Sequence, residues 1–122
     1  MNVRVYLPTT LPALAAHLEA GALPGSVERF TADGEDEESE YAALMAAADV
    51  SAGLLAGPGR RVVVVAEVSD PDGSVALDRV VAVHADPQAR AAGADPDEDL
   101  AWYASQEIEH LLEDASGDQS GD

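Results

Sequence analysis

Arg61-Val62-Val63-Val64-Val65-Ala66-Glu67-Val68 is the stretch that decides the fold. Consecutive β-branched residues with no polar alternation leave no face for water, so the segment reads as a central strand covered on both sides. Asp70-Pro71-Asp72-Gly73 follows as strong turn chemistry. Val75 to Ala85, with Leu77, Val80, Val81, Ala82, Val83 and His84, is the partner strand. The two are expected to pair as an antiparallel hairpin.

Upstream, Gly57-Pro58-Gly59 ends a helix whose apolar stripe is Tyr41, Leu44, Met45, Ala48, Ala52 and Leu55, at helical spacing. The acidic run before it, Asp33 to Glu40, suits the positive end of the helix dipole, where an exposed carboxylate is worth about 0.3–1 kcal/mol. No ligand is needed to explain it. Val27 to Ala32 is a short candidate strand around Phe30, preceded by a Pro24-Gly25 turn. At the start of the chain, Val3, Val5 and Leu7 alternate with Arg4 and Tyr6, a strand with one buried face that Pro8 closes. Thr9 and Thr10 then offer an N-cap, with Pro12 tolerated in the first helical turn. Leu11, Leu14, Ala15 and Leu18 continue at helical spacing, and Gly21 supplies the stop.

Downstream, Asp86 to Gly93 reads as a loop. Asp95-Pro96 gives an N-cap with proline at the first helical position, followed by Asp97, Glu98 and Asp99. The last helix is expected from about Asp97 to Leu112, burying Leu100, Ala104, Ile108, Leu111 and Leu112. Residues 115–122 form a polar tail without apolar anchors, expected to be disordered. The reading is therefore one α/β (α+β) domain over residues 1–114, in the order β-α-β-α-β-β-α. It has a mixed four-stranded sheet with helices packed on it. The two strand–helix–strand passages would be right-handed crossovers if their strands are parallel neighbours.

Composition narrows the function. The chain has 122 residues, enough for one core, and its 47% hydrophobic share excludes wholesale disorder. Twenty-four acidic side chains against 6 basic ones give a formal charge of −18, which excludes a protein that binds nucleic acid by neutralising phosphates. An acidic surface keeps a small protein soluble and repels anionic membranes, or it presents itself to a partner with a basic patch. Without cysteine there is no disulfide scaffold, thiol nucleophile or zinc ribbon. Met1 to Pro8 lack the pattern of a signal peptide. No apolar run approaches the roughly 20 residues a membrane span needs, so a cytoplasmic location is expected. Every basic residue is Arg, which points to a GC-rich genome.

The last helix carries the candidate site. At about 100° per residue, Trp102, Gln106 and Glu109 lie opposite the core stripe, while Tyr103, Glu107 and His110 form a flank. Such a helix either packs on two neighbours or exposes a binding face. Trp102, Tyr103, Gln106, Glu107 and His110 are the candidate binding residues, for a protein partner or for self-association. A second reading is a small-molecule binder or enzyme with a pocket built from Tyr6, Tyr103, Glu107 and His110 as acid, base and orienter. No nucleophile, oxyanion donor pair or phosphate cradle accompanies them, and no catalytic residue is assigned. A remote third reading is acidic mimicry of DNA, resting on net charge alone.

Other motifs fall short. His17, His84 and His110 lie on different elements and make no spaced metal set, so no metal or cofactor is expected. Asp70 to Ser74 resembles the start of a calcium loop, but Gly73 is misplaced and Val81 stands where a bidentate Glu belongs. Gly57-Pro58-Gly59-Arg60-Arg61 lacks a phosphate loop's ending and leads into a strand. Arg60 and Arg61 either hold an anion or offset neighbouring carboxylates.

The opening Arg4-Val-Tyr-Leu-Pro-Thr-Thr-Leu-Pro-Ala-Leu14, the middle Glu40-Tyr-Ala-Ala-Leu44, the strand Arg61 to Ala66 and the ending Trp102-Tyr-Ala-Ser-Gln-Glu-Ile108 together resemble an uncharacterised actinobacterial family of small acidic proteins. The resemblance runs from near Met1 to about Leu112. It implies a bacterial cytoplasmic domain and carries no activity, ligand or catalytic residue with it.

Overall fold

The valine run forms the middle of a four-stranded sheet. A computed structural model describes residues 3–32, 34–55, 59–89 and 99–113. In it the strands are β1 (Val3–Thr9), β2 (Ala22–Leu23), β3 (Val62–Val68), β4 (Val75–Ala76), β5 (Val80–Ala85) and β6 (Ala101–Ala104). Two longer helices are α1 (Leu11–Ala20) and α2 (Glu37–Leu54), and a terminal helical segment spans 108–113. The sheet order is β1-β3-β5-β6, with β2 and β4 pairing separately. This is a single α+β domain.

Every valine of β3 is buried, as expected for a strand covered on both faces. Because side chains alternate across a strand, Val62, Val64, Ala66 and Val68 enter one core with Val5, Leu7, Leu14, Leu23, Val83 and Leu111. Val63 and Val65 enter a smaller one with Tyr6, Ala43, Ala47 and Ala48 of the α2 side. The expected hairpin is formed, from Val62↔Ala85 to Ala66↔Val80. A register shift between Val65 and Ala66 leaves Val81 as an extra residue on β5. The pairings of β1 with β3, β3 with β5 and β5 with β6 are all antiparallel. The sheet is thus antiparallel rather than mixed in strand direction, and the parallel-crossover geometry is not used.

Local signals set the helix ends. Ala13 N–H donates to the Thr10 hydroxyl at 3.3 Å, and Gly21 closes α1 at φ 85°, its N–H donating to the His17 carbonyl. That left-handed conformation is the reason for glycine there. Asp36 caps α2, accepting from Ser39 N–H at 3.2 Å and the Ser39 hydroxyl at 2.8 Å. These bonds hold the Asp36 carboxyl below its ordinary pKa. The buried side of α2 is Ala43, Ala47, Ala48 and Ser51, rotated from the expected stripe, and Tyr41 is 48% exposed. Small side chains let the helix lie close to the sheet. The Ser51 hydroxyl donates to the Thr9 carbonyl at 2.6 Å and accepts from Val62 N–H at 2.8 Å, tying α2 to two strands.

Two elements differ from expectation. The Val27–Ala32 strand is reduced to one bridge, Tyr6↔Phe30. The Arg29 guanidinium replaces the rest of the ladder by donating to the carbonyls of Pro24, Val27, Pro71 and Gly73. That stitches the segment to the Asp70–Gly73 turn, which forms as its sequence implies: Asp72 N–H donates to Asp70 Oδ1 at 3.0 Å. The last helix is the larger correction. Residues 101–104 are strand β6, paired with β5 from Ala85↔Ala101 to Ala82↔Ala104, and a short helical turn begins only at Ser105. Two adjacent aromatic residues favour the pleated surface offered by the open edge of β5. The Glu107 carboxylate then accepts from Ala104 N–H at 2.9 Å, starting the helical turn after the strand. Ile108 and Leu111 are core residues as expected. Leu100 packs instead against the α2-side core, and Ala104 is only half-buried. The Asp95-Pro96 cap, Asp97, Glu98, Gly57-Pro58 and the 115–122 tail lie outside the described residues.

Candidate functional site

Trp102 sits on edge strand β6 with its indole 61% exposed, the most exposed large hydrophobic side chain among the described residues. Its cross-strand neighbour is His84, whose neighbour in turn is Val63. This row lies on the α2 side of the sheet, where α2 packs chiefly against β1 and β3 and reaches the start of β6 through the Tyr41 hydroxyl, which donates to Asp99 Oδ1 at 2.9 Å. Burial lowers the His84 pKa below its ordinary value of 6.5, so the imidazole beside Trp102 is neutral near pH 7. Val81, on the bulge of β5, is 40% exposed. No described residue pairs with the outer edge of β6.

The remaining candidate residues do not share a surface with Trp102. Tyr103 points to the opposite face and packs half-buried against the larger core. Gln106 lines a separate cleft beside α1. The Glu107 carboxylate caps Ala104 N–H. His110 is exposed, with Nδ1 3.7 Å from Glu113 Oε2. The expected flank of Tyr103, Glu107 and His110 required one continuous helix, and the strand at 101–104 dissolves it.

Tyr6 lies farther still. It is on β1, at the other end of the sheet order and in the α2-side core, three strand spacings or about 14 Å from β6. Its hydroxyl meets Glu40 Oε1 at 3.5 Å, and Arg4 bridges Glu40 at 2.9 Å and Glu67 at 3.2 Å. Burial, then the charge of Glu40, raises the Tyr6 pKa, keeping the phenol protonated. A pocket of Tyr6, Tyr103, Glu107 and His110 is therefore not assembled. Among the described residues no three His, Asp or Glu side chains are grouped to hold a metal ion, and no helix is long and apolar enough to cross a membrane.

The most heavily bonded charges are ones the sequence only hinted at. Arg61, 1% exposed, grips Asp86, 2% exposed, with Nε–Oδ2 at 3.0 Å and Nη2–Oδ1 at 2.8 Å. Arg61 N–H also donates to Asp86 Oδ2 at 2.8 Å, and Asp86 N–H returns a bond to the Arg61 carbonyl. Of the two roles open to the arginine pair, offsetting a carboxylate is the one Arg61 performs. Arg60 is buried beside it, donating to the Pro87 carbonyl, while its Nε and Nη1 have no hydrogen-bond partner among the described residues. The legible signal was positional: Arg61 and Asp86 flank the pair Val62↔Ala85 at the end of the hairpin.

No curated protein and no solved structure matches the chain. The model of a family of unknown function, DUF6912, matches residues 3–112, from the first residue of β1 into the terminal helical segment, and the chain belongs to that family.

Proposed function

We propose that this chain is a small non-enzymatic interaction domain that takes an extended segment of a partner protein along the outer edge of β6, with Trp102 as anchor. The observation that carries it is an exposed indole on a strand whose outer edge no described residue pairs. An unpaired edge offers backbone donors and acceptors to an added strand, and tryptophan is among the residues that most often dominate binding energy. The interaction surface is thus a strand edge rather than the helix face the sequence suggested. The separation of Tyr6, Tyr103, Glu107 and His110 supports a binding role over a catalytic one. The arginine-only basic set and the opening and closing motifs support an actinobacterial, cytoplasmic setting.

Charge placement supports the same reading. On the α2 side, the β5 and β6 side chains are Ala82, His84, Trp102 and Ala104, none of them acidic in a chain with 24 acidic residues. The emission and quencher accessibility of Trp102 across a dilution series test the proposal. A red-shifted, accessible indole is expected for the free chain, and a photocrosslinking residue at Ala104, on the same face of β6 as Trp102, should give a discrete adduct in the native host that the same residue at Asp49 does not. Protection that fades on dilution would identify the partner as a second copy. Blue-shifted, quencher-resistant emission at every dilution would remove the anchor and the proposal with it.

A further inference from the structure

On the other side of the sheet, a cleft of about 440 Å³ opens between α1, the turn Leu77–Arg79 and the segment that follows β6. Its floor is Val64 of the central strand, and Leu14, Leu18 and Leu77 stand along its walls. Its polar side chains, Ser105, Gln106 and Glu109, all come from one short segment. None of the three side chains has a hydrogen-bond or ion-pair partner among the described residues, and no arginine lines the cleft. One wall is therefore aliphatic and the other carries a hydroxyl, an amide and an uncompensated carboxylate.

We infer that this cleft binds a small amphiphile with a cationic head, of the class of short aliphatic amines. The aliphatic chain lies between Leu18 and Leu77, the partly exposed aliphatic side chains of the cleft, where its burial supplies the non-directional part of the affinity. The ammonium group faces Glu109, with Ser105 and Gln106 able to accept its remaining N–H bonds. An anionic head would meet the Glu109 carboxylate and the field of a chain carrying −18. The volume falls within the roughly 300–1,000 Å³ of ligand pockets, near their lower end, which suits a short chain. This inference does not depend on the β6 edge, which lies on a different surface.

The test compares n-hexylammonium, n-hexanol and hexanoate by calorimetry and by methyl NMR. Salt is held at about 0.15 M, where the Debye length of roughly 8 Å screens the general field. Hexylammonium should shift the methyls of Leu14, Leu18, Leu77 and Val64, hexanol should do so more weakly, and hexanoate should not. Glu109→Gln should weaken hexylammonium about two- to fivefold, as for an exposed charge pair, and leave hexanol unchanged. Glu35→Gln, in the separate cleft beside Arg4, should change neither. Leu18→Trp should abolish binding by filling the cleft, and Leu77→Trp does the same from the other wall if the first variant folds poorly. Hexanoate binding as well as hexylammonium, equal effects of Glu109→Gln and Glu35→Gln, methyl shifts that survive the folded tryptophan variants, or no shift with any probe would each overturn it.

Discussion

Asp86→Ala should be the most damaging single truncation of a charged side chain in this protein. The carboxylate accepts from three donors of Arg61: the backbone N–H at 2.8 Å, Nε at 3.0 Å and Nη2 at 2.8 Å. Deleting it takes from a guanidinium 1% exposed the carboxylate that its Nε and Nη2 bond, and from the Arg61 backbone N–H the oxygen it donates to. Breaking a buried pair from one side costs about 3–5 kcal/mol, mostly because the surviving charge cannot be rehydrated. Domains of this kind are stable by roughly 5–15 kcal/mol, so the variant loses from about a fifth of that stability to all of it. With a urea slope of about 2 kcal/mol/M, the midpoint should fall by about 2 M. Far-UV circular dichroism is the appropriate signal, since an indole that is already exposed reports unfolding weakly.

The double variant Arg61→Met/Asp86→Leu separates charge from packing. Replacing both partners of a buried pair by apolar groups is often neutral or stabilising, so most of the loss should be recovered. A cost below about 1 kcal/mol for Asp86→Ala would show that the guanidinium reaches water. A double variant as unstable as Asp86→Ala would show that packing, and not an orphaned charge, set the cost.

Arg60→Met should be neutral or stabilising by urea unfolding, in contrast to its neighbour, because it removes a buried guanidinium whose Nε and Nη1 are unpaired while keeping its apolar stem; a loss above about 1 kcal/mol would mean those atoms have a partner. Ser51→Ala should cost about 1–3 kcal/mol, since it removes the bonds of one hydroxyl to the Thr9 carbonyl and from the Val62 N–H together; the Val62 amide should exchange faster with solvent, and an unchanged exchange rate would refute the link. Burial holds the His84 pKa below 6.5, so the unfolded chain takes up its proton first. The stability His84 contributes is complete above pH 6.5, declines as pH falls below that value and levels off below the folded-state pKa. His84→Gln should flatten that part of a stability–pH profile, and identical profiles for the two proteins would contradict the shift.

What the sequence disclosed follows from which interactions are local. The valine run, the Asp70–Gly73 turn, the Thr10 cap and the Gly21 stop are short-range decisions, and each forms as its residues imply. The Val27–Ala32 segment was misleading because Arg29 finds its carbonyl acceptors more than forty residues away, at Pro71 and Gly73, where no local pattern points. Residues 101–104 were misleading for a related reason. Ile108 and Leu111 continue a helical spacing that Leu100 and Ala104 match by coincidence, and only the open edge of β5 decides that Trp102 and Tyr103 are strand. That error scattered the candidate site: two aromatics grouped as binding residues away from the core stripe of one helix lie on opposite faces of a sheet. Arg61 and Asp86 become neighbours only once the register of β3 and β5 is known.

The exposure of Trp102 follows from the dimensions of the layers. A helix with its side chains is about 10–12 Å across, whereas four strands spaced about 4.8 Å apart span more than that. One helix therefore covers roughly two strands, and the small residues of α2 seat it on β1 and β3. On the other face, α1, the β2–β4 pair and the terminal helical segment together supply Leu14, Leu23, Val75, Ile108 and Leu111, and the cleft beside α1 opens between them. Among the described residues no second helix lies over β5 and β6 on that side, where Ala82 is buried, His84 and Ala104 are half-buried and Trp102 is exposed. If that surface were merely solvated, selection for solubility in so acidic a chain would be expected to place carboxylates on it, as it does on α2 with Glu37, Glu38 and Asp49. At the exposed position of that row tryptophan stands instead. An edge strand without charge is a hazard that proteins ordinarily blunt, and keeping one beside an exposed indole makes physical sense where a partner strand covers both.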